Sequence, residues 1–138
     1  MEQDTLMLIK PDVTKANKIG EVISIVERDG FKIVDMKYAF LSEDLLKIFY
    51  QEHEGKEHFV KNIRFMHSGP IVVVLLRRDN AITRLRTIIG CTDPFFAEVG
   101  TIRKQYGSAL PANAVHASDS DESAYREISL FFGMYNNT

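Results

Sequence analysis

Cysteine is scarce in this sequence of 138 residues, because Cys91 is the only one and can form no internal disulfide. An isolated cysteine favours a reducing compartment, although some exported proteins also carry one. Long apolar runs are missing too, since the longest, residues 71–76, is far too short to span a bilayer. The acidic start, residues 1–4, is unlike a signal or transit peptide. These features predict a cytoplasmic protein with no membrane partner.

A large excess of charge is also lacking. The formal net charge is −2, so the composition indicates neither a nucleic acid nor an anionic surface as partner, and any anion site must be local. The length predicts one domain, residues 1–138, able to bury about two-thirds of its unfolded surface. The sequence contains no internal repeat and no low-complexity tract.

The spacing of apolar residues predicts strands alternating with helices. Strands are expected over residues 6–9, 31–41, 71–76 and 114–115. Helices are expected after the first strand, as a pair between the second and third strands, from Asp79 to Gly90, and after the last strand. This order matches an α+β ferredoxin-like (βαββαβ) sandwich with an antiparallel four-stranded sheet and a helical hairpin insertion. Residues 91–111 precede the last strand as a long loop without a clear long element, which is usually functional or at an interface.

The segment of residues 113–120 places a histidine among small residues. His116 and Ser118 point to the same side of the expected strand, because side chains alternate along a strand. The following helix is predicted to begin at Asp119, with Glu122 completing a capping box.

Glu127 lies beside the apolar stripe of that last helix, and a carboxylate near a buried face needs a partner. We expect Glu127 to accept the Nδ1 proton of His116, which would leave Nε2 as a free lone pair for attack on an electrophile. From these two residues alone, a histidine that is merely hydrogen-bonded in the core remains an equal alternative.

The segment of residues 113–120 closely resembles the active-site motif of nucleoside diphosphate kinases. Further resemblances follow in the same order along the chain, at Ile9-Lys10-Pro11-Asp12, Met66-His67-Ser68-Gly69-Pro70 and Gly100-Thr101-Ile102-Arg103. The four motifs together span nearly the whole chain. The resemblance implies the sandwich fold, with the helical hairpin and the long loop in the places expected here.

The resemblance also implies the roles of individual residues. The positions that match the family's phosphate- and sugar-binding residues are Lys10, Tyr50, Arg86, Thr92, Arg103 and Asn113. His116 is then expected to accept the phosphate, Glu127 to orient it, and Ser118 to bond Glu127, with Lys10 counted among the catalytic groups. Other arginines, Arg126 among them, are expected to be solvated surface residues.

The implied reaction is a two-step, ping-pong exchange. A nucleoside triphosphate, typically ATP, would give its γ-phosphate to His116, and a nucleoside diphosphate would then take it. The sequence lacks the glycine-rich phosphate loops of other nucleotide-binding folds, so side chains would have to bind the phosphates. No pair of histidines has convincing spacing for a metal site, because His53 and His58 are five residues apart and would lie on different faces of a helix. Mg²⁺ is therefore expected to arrive with the nucleotide, bound mainly to its phosphates. A homo-oligomer is also implied.

Three departures from the family pattern bear on function. His58 takes the place of the aromatic residue that stacks on the base, opposite Leu110, and Asn62 replaces an aliphatic residue near the nucleotide, so base preference is expected to differ. Val99 replaces a proline in a loop that joins subunits, which is expected to weaken the oligomer.

Two other readings of the sequence stay open. One is a nucleotide-binding family member that is weakly active or inactive and serves as an interaction module. The other is a metabolite-binding regulatory domain on the same sandwich, which would need neither the His116–Glu127 pair nor the scattered phosphate-binding cations.

Overall fold

The computed structural model describes residues 1–133, and its four strands form one antiparallel sheet. The strands are β1 (Glu2–Ile9), β2 (Lys32–Ala39), β3 (Ile71–Asp79) and β4 (Val115–Ala117). Their spatial order is β2-β3-β1-β4, so β1 and β3 are central and β4 is an edge strand beside β1. This arrangement confirms the predicted ferredoxin-like topology.

Seven helices connect or cover these strands within the described part of the chain. They are α1 (Pro11–Lys15), α2 (Ile19–Arg28), α3 (Glu43–Phe49), α4 (Glu57–Met66), α5 (Ala81–Ile89), α6 (Ile102–Tyr106) and α7 (Asp121–Phe132). Two short 3₁₀ turns lie at Gln51–His53 and Pro94–Phe96. Helices α3 and α4 are the predicted hairpin between β2 and β3.

The sheet carries a core on each face. Side chains of β1 alternate between the two cores: Met7 and Ile9 pack with α2, α5 and α6, whereas Leu6 and Leu8 pack with α3, α4 and α7. All four are fully buried, and each such side chain stabilises the fold by about 1.5 to 3 kcal/mol. Because helices cover both faces, the central strand β3 is an almost unbroken apolar run, as predicted.

Strand β2 is shorter than the predicted 31–41 and lies at the other edge of the sheet. Its pairing with β3 is interrupted by a bulge between Ile33 and Asp35. The predicted apolar alternation is present, but those side chains are exposed; they are Val34, Met36, Tyr38 and Phe40. The face of β2 that carries them is therefore not covered by the described part of the chain.

Two predicted helix starts are wrong. Asp79 belongs to β3, where it pairs with Glu2, and Asn80 then takes a left-handed conformation (φ 52°) before α5 begins. The last helix is capped by Ser120, whose hydroxyl accepts the Ser123 amide, so the expected cap at Asp119 is displaced by one residue.

The long loop before β4 contains more structure than expected. Helix α6 and the 3₁₀ turn at Pro94–Phe96 lie within it, and Ile102 from α6 is fully buried. The predicted last strand is shifted by one residue, because Ala114 has φ 74° and precedes β4. The described residues contain no helix that is long and apolar enough to cross a membrane.

Candidate active site

The site is built around His116, the middle residue of edge strand β4, which pairs with Leu8 of β1. Its Nε2 atom lies 2.9 Å from Oε1 of Glu127 on α7. The same carboxylate oxygen accepts a 2.7 Å hydrogen bond from the Ser118 hydroxyl. Because β4 side chains alternate, His116 and Ser118 reach Glu127 from the same side, as predicted.

The ring nitrogen that contacts Glu127 differs from the prediction. We expected the Nδ1 proton to be donated to the carboxylate, but Nε2 makes this contact. The pairing of His116 with Glu127 is therefore present, and the free nitrogen is Nδ1 instead of Nε2. The orientation of the ring depends on how α7 packs against β4, which the spacing of residues along the chain does not determine.

The two residues that support His116 through hydrogen bonds, Glu127 and Ser118, are buried. Glu127 and Ser118 are 4% and 0% exposed, so the carboxylate gives up most of its hydration and depends on these hydrogen bonds. The edge of the Phe49 ring packs against the His116 ring, with 5.0 Å between ring centroids and 78° between planes. The histidine side chain remains about a quarter exposed, which leaves it accessible to a ligand.

Two cations are buried close to this pair. The Nζ atom of Lys10, at the end of β1, donates to Oδ1 of Asn113 at 2.7 Å and to the Pro111 carbonyl at 3.3 Å. Arg103 on α6 donates to the carbonyl oxygens of Gly90 and Val115, while its buried Nε atom has no hydrogen-bond partner. Both cations are only 7% exposed.

Burial and neighbouring positive charge lower the pKa values of both buried cations. Burial, with a smaller contribution from Arg103, lowers the pKa of Lys10 from 10.5 to about 8, and Asp12 acts in the opposite direction. Burial, followed by the charge of Arg86 on α5, lowers the pKa of Arg103. An anion placed among these three cations would relieve both effects, so the electrostatics favour a phosphate-binding site.

These residues face one cavity of about 650 Å³. The predicted site residues among those that line it are Lys10, Tyr50, His58, Asn62, Arg86, Thr92, Arg103, Leu110, Asn113, His116 and Glu127. Ser118, the remaining predicted residue, is fully buried and does not line the cavity; its hydroxyl donates to the Glu127 carboxylate. The sequence therefore predicted a set of residues that the fold brings together from nine different elements or loops.

The side of the cavity opposite the cations is formed by α4 and the loop before β4. His58 is exposed at the start of α4, Asn62 lies one turn later, and Leu110 is exposed across the cavity. A flat ligand such as a nucleobase fits between an imidazole ring and an aliphatic side chain. The structure thus places two of the three departures from the family pattern, His58 and Asn62, together on this side of the cavity.

Several lining residues were not predicted. Arg126, expected to be a solvated arginine, lies at the cavity with an Nη atom 3.0 Å from Glu52 and 3.7 Å from Glu127. His53 and His58 also lie together, with ring centroids 4.9 Å apart, because the turn between them folds back. Their expected separation on different helix faces is wrong, and no pattern in the sequence indicated these contacts.

The cavity has no preformed metal cage. The described residues contain no cluster of three or more His, Cys, Asp or Glu side chains able to hold a metal ion. Asp119 lies at the cavity, and hydrogen bonding from Ser123 lowers the pKa of its carboxyl, so it carries negative charge beside the cations. This donor set fits a divalent ion that is held mainly by ligand phosphates and water.

The fold and the cavity together define an α+β protein with a cation-lined cavity beside a histidine that a buried carboxylate orients. Comparisons with known proteins agree. The family model described as nucleoside diphosphate kinase matches residues 3–136. A nucleoside diphosphate kinase of Hydrogenovibrio crunogenus is 48% identical over 132 residues, which cover 96% of this chain and 94% of that protein. One of Methanocaldococcus jannaschii is 45% identical, with the same coverage of both chains.

Solved structures of nucleoside diphosphate kinases share the fold. The nucleoside diphosphate kinase of Aquifex aeolicus has a TM-score of 0.93 at 34% identity, covering 99% of this chain and 97% of that one. The enzyme of Halobacterium salinarum, solved in complex with CDP, has a TM-score of 0.92 at 34% identity, covering 96% and 88%. The chain belongs to the nucleoside diphosphate kinase family. The predicted family, fold and nucleoside-diphosphate kinase class are confirmed.

Proposed function

We propose that this chain transfers the γ-phosphate of a nucleoside triphosphate to a nucleoside diphosphate through a phosphohistidine at Nδ1 of His116. The observation that supports this atom is the contact between Nε2 and Glu127, because a ring whose Nε2–H is donated has its lone pair on Nδ1. The carboxylate also stabilises the positive charge that the ring acquires when Nδ1 forms a bond.

In the first step, the Nδ1 lone pair forms a bond to the γ-phosphorus, and the bond between that phosphorus and the β–γ bridging oxygen breaks. The electron pair leaves with the nucleoside diphosphate, and the Nε2 proton stays on the ring, held by Glu127. A second diphosphate then attacks the phosphorus, and the bond to Nδ1 breaks. One site serves both half-reactions, which is the basis of ping-pong kinetics.

The cations contribute by position and charge. Lys10, Arg86 and Arg103 surround the place where the transferred phosphoryl group must pass, and its equatorial oxygens carry the negative charge of the transition state. Lys10 and Arg103 are buried, so their interactions with the phosphates would be stronger than in water, whereas Arg86 is exposed. We propose Mg²⁺ as the cofactor. Bound to the phosphates, it would neutralise part of their charge, and Asp119 is a carboxylate of the cavity that could hold its water ligands.

The substrates we propose are nucleoside triphosphates and diphosphates. The CDP in the Halobacterium salinarum complex supports this for a structure of the same fold. A base would lie between His58 and Leu110, with Asn62 beside it, and the phosphates would point toward the cations. Tyr50, only 7% exposed next to the cavity, keeps its hydroxyl proton because burial raises its pKa.

We also propose that the chain forms a homo-oligomer in the cytoplasm. The exposed apolar face of edge strand β2 supports self-association, because Met36 and Tyr38 are 47% and 68% exposed. Val99, 92% exposed in the long loop, would weaken a contact there relative to the proline usual in the family. The exposed free thiol of Cys91 supports a reducing compartment. Sedimentation velocity across a range of protein concentrations tests the oligomer.

The decisive experiment for the reaction compares the wild-type chain with His116→Ala. The wild type should form GTP from ATP and GDP with parallel-line, ping-pong kinetics. His116→Ala should lose this exchange while binding ADP with similar affinity, because the cations and the base-binding side chains remain. Equal exchange by both proteins would refute the proposal. Nucleotide binding by both without exchange would indicate an interaction module.

A further inference from the structure

The three residues before His116 adopt a strained turn. The amide of Val115 donates to the Asn113 carbonyl at 2.9 Å, two residues back, and Ala114 between them has φ 74°. This is the geometry of a γ-turn with positive φ, which is rare and strained. Ala114 is fully buried, and an alanine in this conformation needs its surroundings to hold it there.

The surroundings that hold Ala114 come from one short segment at the end of β1. The Ala114 amide donates to Oδ2 of Asp12 at 2.9 Å. The Ala114 carbonyl accepts the Lys10 amide, also at 2.9 Å. Both backbone polar groups of Ala114, its amide and its carbonyl, are therefore hydrogen-bonded. Within the described residues, the Asp12 carboxylate is the only side chain that bonds either of them.

The turn positions functional groups on both of its sides. On one side, the Asn113 side chain accepts from Nζ of Lys10 at 2.7 Å and donates to the Thr92 carbonyl at 2.9 Å. On the other side, Val115 begins β4, and the next residue is His116. A change in the backbone at Ala114 would thus move the phosphate-binding lysine and the nucleophile relative to each other.

Asp12 is half-buried at this place. By distance and angle its second oxygen, Oδ1, has no hydrogen-bond partner, and burial raises the pKa of its carboxyl although neighbouring backbone amides and Lys10 act in the opposite direction. Partial desolvation therefore offsets part of what the carboxylate gains at the start of α1, which favours a role beyond helix stability. Violations of this kind are expected where a residue is required by function.

We propose that Asp12 is a positioning residue for phosphoryl transfer: its carboxylate holds Ala114 in the γ-turn that sets His116 and the Lys10–Asn113 pair at their working separation. This inference rests on the proposed role of His116 as phosphate acceptor. Asp12 touches neither the phosphate nor the ring and acts through the backbone of residues 113–115.

The test measures how fast the phosphohistidine forms in a single turnover at saturating ATP. Asp12→Ala removes the tether and should slow this rate about 10- to 100-fold, the effect typical of a misplacement near 1 Å. Affinity for ADP should fall by a smaller factor, since the binding side chains remain. Asp12→Asn keeps an oxygen that accepts the Ala114 amide, so its rate at neutral pH should stay much closer to wild type.

A second substitution tests the strained turn itself. Glycine adopts positive φ without penalty, so Ala114→Gly should make the tether less necessary. In the Ala114→Gly background, Asp12→Ala should slow the rate by a factor about 5- to 30-fold smaller than in the wild-type background, which corresponds to the 1 to 2 kcal/mol of a non-glycine residue at positive φ.

The matched control is Asp44→Ala. Asp44 occupies the second position of α3, as Asp12 does in α1, but it is exposed and remote from the cavity. The Asp44→Ala variant loses the same favourable interaction between a carboxylate and a helix N-terminus, so it controls for helix stability. Its phosphorylation rate should equal that of wild type. Circular dichroism and thermal melts establish that each variant is folded.

Three results would overturn the inference: a wild-type rate in folded Asp12→Ala, a rate in Asp12→Asn as low as in Asp12→Ala, or an equal cost of Asp12→Ala in both backgrounds. The last two would mean that the charge or general stability matters and the tether does not. Failure of the proposed function is distinguishable, because His116→Ala would then still exchange phosphate whatever the Asp12 variants do.

Discussion

Replacing Lys10 with methionine should destroy activity. It should also change stability in a pH-dependent way: relative to wild type, the free energy of unfolding of Lys10→Met should be higher at neutral pH than at high pH. Lys10 has a pKa of about 8 in the folded chain and about 10.5 when unfolded. The folded state therefore binds fewer protons than the unfolded state between these pH values, so the wild-type protein gains stability as pH rises through this window. Below pH 8 the full cost of keeping the buried lysine charged is present.

The magnitude follows from the size of this displacement. A difference of about 2.5 pKa units corresponds to about 3 kcal/mol, of which about 2 to 3 kcal/mol is recovered between pH 7 and pH 10. Lys10→Met removes this dependence. The substitution also removes the hydrogen bonds to Asn113 and Pro111, which lowers its stability by about 1 kcal/mol each at any pH and cancels from the comparison.

Urea unfolding of both proteins at pH 7, 8, 9 and 10 measures this effect. The free energy of unfolding of Lys10→Met minus that of wild type should fall by about 2 to 3 kcal/mol from pH 7 to pH 10. Subtraction removes contributions from Tyr50 and other groups shared by both proteins. A difference that stays constant with pH, or that increases, would refute the account of a buried, charged lysine.

Three further variants test the site. Glu127→Gln should lower kcat about 100-fold with little change in ADP affinity, because His116 loses the negative charge that stabilises its phosphorylated, positively charged ring. Stopped-flow phosphorylation measures this effect, and an unchanged kcat would contradict it. Ser118→Ala removes one hydrogen bond to Glu127 and should lower kcat by about 10-fold or less, with a loss of about 1 kcal/mol in stability; a larger effect than that of Glu127→Gln would contradict the order of roles. His58→Phe combined with Asn62→Leu should change the ranking of purine and pyrimidine diphosphates by kcat/KM, and an unchanged ranking would exclude these residues from base recognition.

The sequence allows accurate prediction of elements whose pattern is local. The central strands are nearly continuous apolar runs, and the amphipathic helices α2 and α7 follow a spacing that only a helix satisfies. The pairing of His116 with Glu127 also follows from local spacing, since a strand and the helix after it bring these two side chains together. The resemblance of four motifs to one family then supplied the distant residues, such as Lys10 and Arg103.

What could not be predicted depends on tertiary packing. The nitrogen of His116 that contacts Glu127 is set by the position of α7 over β4, and the contacts of Arg126 and His53 depend on how the helical hairpin folds toward α7. The γ-turn at Ala114 gave no signal, because alanine replaces the glycine that usually indicates positive φ. Its partner Asp12 lies about one hundred residues earlier in the chain.

The most direct test of the central claim identifies the phosphorylated atom. The protein, labelled with ¹⁵N in its histidines, is mixed with ATP and Mg²⁺, kept at alkaline pH, and studied by ¹⁵N and ³¹P NMR. Phosphate should appear on Nδ1 of His116 and should be lost on addition of GDP. Phosphate on Nε2 would contradict the role given to Glu127, and a protein that binds ATP without modification of His116 would contradict the proposed reaction.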